Sequence, residues 1–318
     1  MGTNKSQDDA SGVVVLEEGR ADHLLAKMRH HIEEDGPERP VLEHLLPQVD
    51  EGRLRLPVIS GTLTRVMELT GSEDADIGEL TYAVEMDPPL AAKVVGLANT
   101  AALRGGEAVT SVHEALMRMG LREARNLVVA VAMRSGVFEV PGSAERVQEL
   151  WEHSVASALC CQSLLAERPP WQDAGFLLGL VHDIGRIAVM SFIEESGRRS
   201  RRLRRLDADA RRAAEDILHA ELGAVAVGSW NFPEAFVQAL RLHHEPDDAV
   251  EPDVDLVWSL YAADTLAHLR QRGWEPGSSE ELDARVVALL EPLGLPLDVC
   301  GHLIREMEGG LAALGKIG

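Results

Sequence analysis

Five histidines and two aspartates in the second half of this 318-residue chain have the side chains that hold metal ions: His153, His182 with Asp183 beside it, His219, the pair His243-His244, and Asp264. Neutral imidazole and carboxylate are preferred ligands of Zn²⁺, Fe and Mn²⁺. On a helix, His182 and Asp183 would project about 100° apart and reach one ion or two neighbouring ones. Asp183 is then a candidate bridge between two ions about 4 Å apart. Such a pair deprotonates a bound water at neutral pH and clamps a phosphoryl oxygen, leaving a hydroxide as nucleophile.

The elements that must position these residues read as helices. Apolar periodicity and turn punctuation predict helices over Ala144–Glu167, Trp171–Glu194, Asp207–Trp230, Pro233–His243, Asp253–Arg272, Ser279–Leu290 and Leu297–Leu314. His153 falls in the first, His182-Asp183 near the middle of the second, His219 in the third, His243-His244 at the end of the fourth, and Asp264 in the fifth. Upstream, a helix over Ala21–Glu34 is closed by Asp35-Gly36-Pro37. Asp87-Pro88-Pro89 starts another that runs to Thr100, because Asp accepts from free first-turn amides and Pro suits the first helical position. Ser111 and Glu114 have the spacing of a capping box, Gly120 supplies a left-handed stop, and a helix over Arg122–Arg134 follows. Alternating runs able to build a substantial sheet are missing, so the expected class is all-α, with short links folding the helices into a bundle. Gly136 to Ser143 is the expected joint between two lobes. The expected organisation is an N-terminal extension over 1–50 with a polar, disordered start at 1–12, a helical lobe over 51–140, a second lobe over 141–275, and C-terminal helices over 276–318 packing on that second lobe.

Charge narrows the function. Lys and Arg number 31 against 52 Asp and Glu, a net charge of −21, which disfavours general nucleic-acid binding and anionic membranes. Cys160, Cys161 and Cys300 are expected to be reduced thiols. The longest apolar run, Leu127–Met133, is far shorter than a membrane span, and the N-terminus lacks an export pattern, so the expected location is the cytoplasm.

The pattern His153…His182-Asp183…Asp264, with His182-Asp183-Ile184-Gly185 as its signature tetrapeptide, resembles the ligand pattern of the HD superfamily of metal-dependent phosphohydrolases. His219 and His243-His244 resemble the second-metal ligands of the HD-GYP class, which degrades cyclic dinucleotides. Two departures count against that class: Arg186 stands where Lys is usual, and no Gly-Tyr-Pro follows His244-Glu245-Pro246. Leu56-Pro57-Val58, Asp87-Pro88 with Leu90-Ala91-Ala92-Lys93, Ala98-Asn99-Thr100, Val109-Thr110-Ser111, the run Met119 to Leu127, and His219-Ala220-Glu221-Leu222-Gly223 ahead of Trp230 resemble, in order and spacing, the HDOD domain. That resemblance implies an all-α, two-lobe fold and a bacterial signalling module that acts through a protein partner or a small ligand. The alternative it implies is a hydrolase of a nucleotide or other phosphoester with one or two divalent ions of Fe, Mn or Zn. There, His153, His182, Asp183 and Asp264 would hold one ion, Asp183, His219, His243 and His244 the other, and Arg186 would steady the substrate phosphate.

Each of these residues also has a plainer role open to it. His182 and Asp183 serve equally as a buried hydrogen-bonded pair, and His243-His244 as a favourable end to a helix. Asn99 reads as a structural hydrogen-bonder, and Trp151, Trp230 and Trp258 as core aromatics. Arg198, Arg199, Arg201, Arg202, Arg204, Arg205, Arg211 and Arg212 crowd a short stretch of an acidic protein. They read as a solvated face pairing with carboxylates, or as an anion site, with Arg198, Arg201, Arg202 and Arg205 its candidate contacts and a nucleotide its candidate ligand.

Overall fold

The computed structural model describes residues 13–15, 21–70, 76–100, 108–315 and 317, and almost every ordered segment is a helix. The polar start at 1–12 lies outside the described residues. Along the chain, β1 (Val13–Val15) precedes α1 (Asp22–Glu34) and α2 (Arg39–Asp50), and β2 (Arg53–Arg55) pairs antiparallel with β1, Val14 opposite Leu54. Then come α3 (Gly61–Thr70), α4 (Ile77–Glu85), α5 (Pro88–Ala98), α6 (Val112–Met119) and α7 (Leu121–Gly136). The second half holds α8 (Ala144–Leu165), α9 (Gly175–Val181), α10 (Ile184–Gly197), α11 (Arg201–Arg204), α12 (Ala208–Ser229), α13 (Glu234–Leu242), α14 (Val254–Gln271), α15 (Glu280–Leu290) and α16 (Cys300–Leu314).

The starts follow local chemistry. Asp87 Oδ1 accepts from the amide of Leu90, Ser111 Oγ from that of Glu114, and Asp207 Oδ1 from that of Ala210, each satisfying a donor the helix leaves over. Gly120, at φ 86°, ends α6 and leads straight into α7. Asn99 is structural: its amide donates to the carbonyls of Val95 and Val109 and its Oδ1 accepts from the Val109 amide at 2.9 Å.

One expected helix is two. The span predicted over Trp171–Glu194 breaks between α9 and α10 at His182-Asp183. His182 Nδ1 lies 2.8 Å from the Gly179 carbonyl, and the Arg186 amide reaches back only three residues, to Asp183. A side chain bonded to the backbone three residues earlier competes with the regular ladder.

The chain divides into two compact units. One comprises Met1–Val58, Val140–Ala144 and Asp183–Arg241; the other comprises Ile59–Glu139, Glu145–His182 and Leu242–Gly318. In the first, Gly185 lets α10 cross α12 closely: a Cβ there would overlap the His219 carbonyl and sit 2.7 Å from the Gly223 nitrogen. Trp230 in the same unit is buried and donates to the Pro57 carbonyl. In the second, Gly175 and Gly179 line one face of α9 and bring it onto α8, where a Cβ would come within 2.6 Å of the Cys161 carbonyl or of Ala158 Cα. Trp151, fully buried, packs edge-on against Phe138 and donates to the Leu314 carbonyl. Trp258 is half-buried beside Tyr261. The stretch Gly175–Gly197 has the length and apolarity of a membrane span, yet 89% of its most apolar window is buried inside the protein, as in a core helix.

Candidate metal centre

In the second unit, α8 supplies His153, the end of α9 supplies His182, and α14 supplies Asp264 and, one turn on, His268. His153, His182 and Asp264 are buried, while His268 keeps 47% of its side-chain surface exposed. One oxygen, Asp264 Oδ1, faces three imidazole nitrogens: His153 Nε2 at 2.9 Å, His268 Nε2 at 3.4 Å and His182 Nε2 at 3.5 Å. The His153 and His268 rings stack with centroids 4.2 Å apart, and His182 meets His243 edge-on at 5.4 Å. His243 is buried and His244 exposed, both just beyond the end of α13, with their ring centroids 3.9 Å apart. Burial pushes the Asp264 carboxyl up, but hydrogen bonds and charge from His153 and His182 outweigh it and hold the group well below the usual carboxylate range.

In the first unit, Asp183 and His219 meet, with Nε2 to Oδ1 at 3.4 Å. Arg186 closes on the other Asp183 oxygen through Nε at 2.8 Å, reaches Asp216 through Nη1 at 2.5 Å, and has Glu215 at 4.0 Å. Burial works against the Arg186 charge, but Asp183 and Asp216 more than compensate and raise its pKa further.

The orientation of the rings fits a cation. His182 Nδ1 sits 2.8 Å from the Gly179 carbonyl and His219 Nδ1 2.9 Å from that of Glu215. A carbonyl only accepts, so each Nδ1 is the donor, and in the neutral ring Nε2 is left as the acceptor nitrogen. In both cases that acceptor points at a carboxylate oxygen, an arrangement a bound cation makes favourable. Backbone anchoring of the far nitrogen is also how proteins fix ligating imidazoles.

The arginine-rich stretch, all in the first unit, forms few pairs. Arg202 reaches Glu43 at 2.6 Å and Arg211 reaches Glu194 at 2.6 Å. The side chains of Arg198, Arg199, Arg201, Arg204, Arg205 and Arg212 are exposed and pair with no described residue. The expected solvated face is present, but among the described residues most of its expected carboxylate partners are not.

Sequence reasoning missed His268, although it stands four residues after Asp264 on one helix, the spacing that stacks side chains on one face. It also missed Glu215 and Asp216, which only the crossing of α10 and α12 brings to Arg186.

The sequence profile of the HDOD domain matches residues 56–246, more than half of the chain. The chain belongs to the HDOD domain family. An HDOD domain protein from Geobacter sulfurreducens shares the fold, with a TM-score of 0.61 at 17% identity over 91% of this chain and 97% of that one. A candidate phosphohydrolase from Shewanella amazonensis SB2B gives 0.62 at 24% identity over 86% and 98%. A candidate signal transduction protein from Marinobacter aquaeolei VT8 gives 0.63 at 21% over 92% and 68%. An uncharacterized protein of Treponema pallidum (strain Nichols) is 24% identical over 214 residues, and the match spans 62% of this chain and 39% of that relative's length.

Proposed function

We propose that this HDOD protein is a cytoplasmic regulatory module that works by binding a protein partner or a small ligand, with a divalent ion held in its second unit. The observation that carries this choice is the clasp on Asp183. The hydrolytic alternative needs that carboxylate as a bridge between two ions, yet one of its oxygens is engaged by Arg186, itself held by Asp216 at 2.5 Å. An Arg186 so engaged is also ill placed to steady a substrate phosphate. His153, His182 and Asp264 would hold the ion. Bound there, it would supply a fixed positive charge that ties α8, α9 and α14 together. A bound ion or ligand shifts a regulatory module only by favouring one of its conformations over another. For the small ligand, the second unit has a cleft of about 800 Å³ lined by Arg118, Arg122, Asn126, Gln162, His302 and Glu306, of a size that takes a nucleotide.

The second reading, a metal-dependent phosphohydrolase, draws support from His219 Nε2 facing Asp183 Oδ1. A phosphoester screen separates the two. Protein loaded in turn with Mn²⁺, Fe²⁺ and Zn²⁺ is offered bis(p-nitrophenyl) phosphate, nucleotides and cyclic dinucleotides, alongside Asp183→Ala. A regulatory module gives no turnover beyond the free metal ion. Turnover near the enzymatic median of about 10 s⁻¹, lost in Asp183→Ala, would establish the hydrolase instead.

A further inference from the structure

We infer that His268 is a further ligand of this centre, and that with it the protein's own side chains close the coordination sphere. The inference rests on the metal centre proposed above. His268 brings the donors of the second unit to three imidazoles and one carboxylate, all gathered around Asp264 Oδ1 within 3.5 Å. Ligand atoms of His153, Asp264 and His268, one from each, lie within 4.8 Å of one another, and with His182 the donors match in number and kind the four of a zinc-class ion.

Position and packing make His268 more than a chance neighbour. It shares a face of α14 with Asp264, and its ring lies nearly parallel to that of His153, with an interplanar angle of 24°. Among the four donors it alone is substantially exposed, at 47% against 6% or less for the others. It therefore stands on the side from which solvent would approach.

Structural metal sites are closed by protein ligands, whereas catalytic ones keep a position for water or substrate. A fourth protein donor thus fits a family pattern of metal ligands to the regulatory reading proposed above. It also makes one exposed side chain the difference between a closed and an open centre.

Cobalt(II), whose visible absorption reports both coordination number and exchange of ligands, is the probe. Metal-free full-length protein, His268→Ala and His268→Gln are titrated with Co²⁺, then with azide as an external ligand, while circular dichroism checks the fold. The wild type should bind one Co²⁺ with the intense bands of a four-coordinate site that azide leaves unchanged. His268→Ala should bind at least about ten-fold more weakly, and azide should now shift its bands. If wild type and both variants bind Co²⁺ equally and respond to azide alike, His268 is no ligand, and the three-residue centre still stands. If azide shifts the wild-type bands, the sphere is open and the inference fails. If the wild type binds no Co²⁺, the metal centre itself is refuted and the inference with it.

Discussion

Asp264 is a buried carboxylate with three imidazole nitrogens about one of its oxygens, and its contribution to stability has a definite pH dependence. In metal-free protein, hydrogen bonding and charge from His153 and His182 outweigh the cost of burial and keep it ionised, so its folded pKa lies below the unfolded value of about 3.9. A depressed carboxylate stabilises fully above the unfolded pKa, and that contribution drains away as pH falls through the folded one. Chelator-treated Asp264→Asn should therefore be less stable than wild type near neutrality by about 3 kcal/mol, the cost of breaking a buried pair. In urea unfolding the gap should narrow towards about pH 3; a gap that does not change with pH would contradict the ionised state. The residue types of the centre were legible in the sequence, since His153, His182 and Asp264 announce themselves by type and spacing. His268 was not: a histidine four residues after an aspartate on a helix is common, and it is the stacking on His153 that singles it out.

Caps and stops carry short-range information, which is why the starts at Asp87, Ser111 and Asp207 and the stop at Gly120 could be read from residue type alone. The break between α9 and α10 could not, because it depends on the His182 ring reaching the Gly179 carbonyl and on α12 lying against Gly185. The first is a side-chain bond three residues back and the second is tertiary, and the apolar pattern runs through both without interruption. Two glycines test the distinction. Gly185→Ala forces a methyl into the α12 backbone and should cost about 3 kcal/mol of unfolding free energy. Gly309→Ala, in the exposed interior of α16 with nothing within 4 Å of its new methyl, should raise stability by up to about 1 kcal/mol. Equal shifts in denaturation midpoint would mean that the close crossing of α10 and α12 is not what the first glycine serves.

For the whole molecule, the all-α class was legible because helix periodicity persists over most of the chain, and the family followed from motifs spread from Leu56 to His244. The way segments assort into compact units was not. Each unit takes three separate stretches of sequence, and which helix buries its apolar face against which is decided by packing partners far apart in the chain. At the stretch where a joint was expected, the chain enters the first unit at Val140 and leaves it after Ala144, with both flanks in the second unit. The net charge of −21 coexists with six exposed arginines that pair with no described residue, leaving a basic stretch available to an anionic partner. The proposal of a regulator with a closed centre, against that of a two-metal hydrolase, is tested most directly by elemental analysis of untagged protein purified without added metal, beside Asp264→Ala. One divalent ion per chain, lost in the variant, is the expected result; two ions per chain, or none, would contradict it.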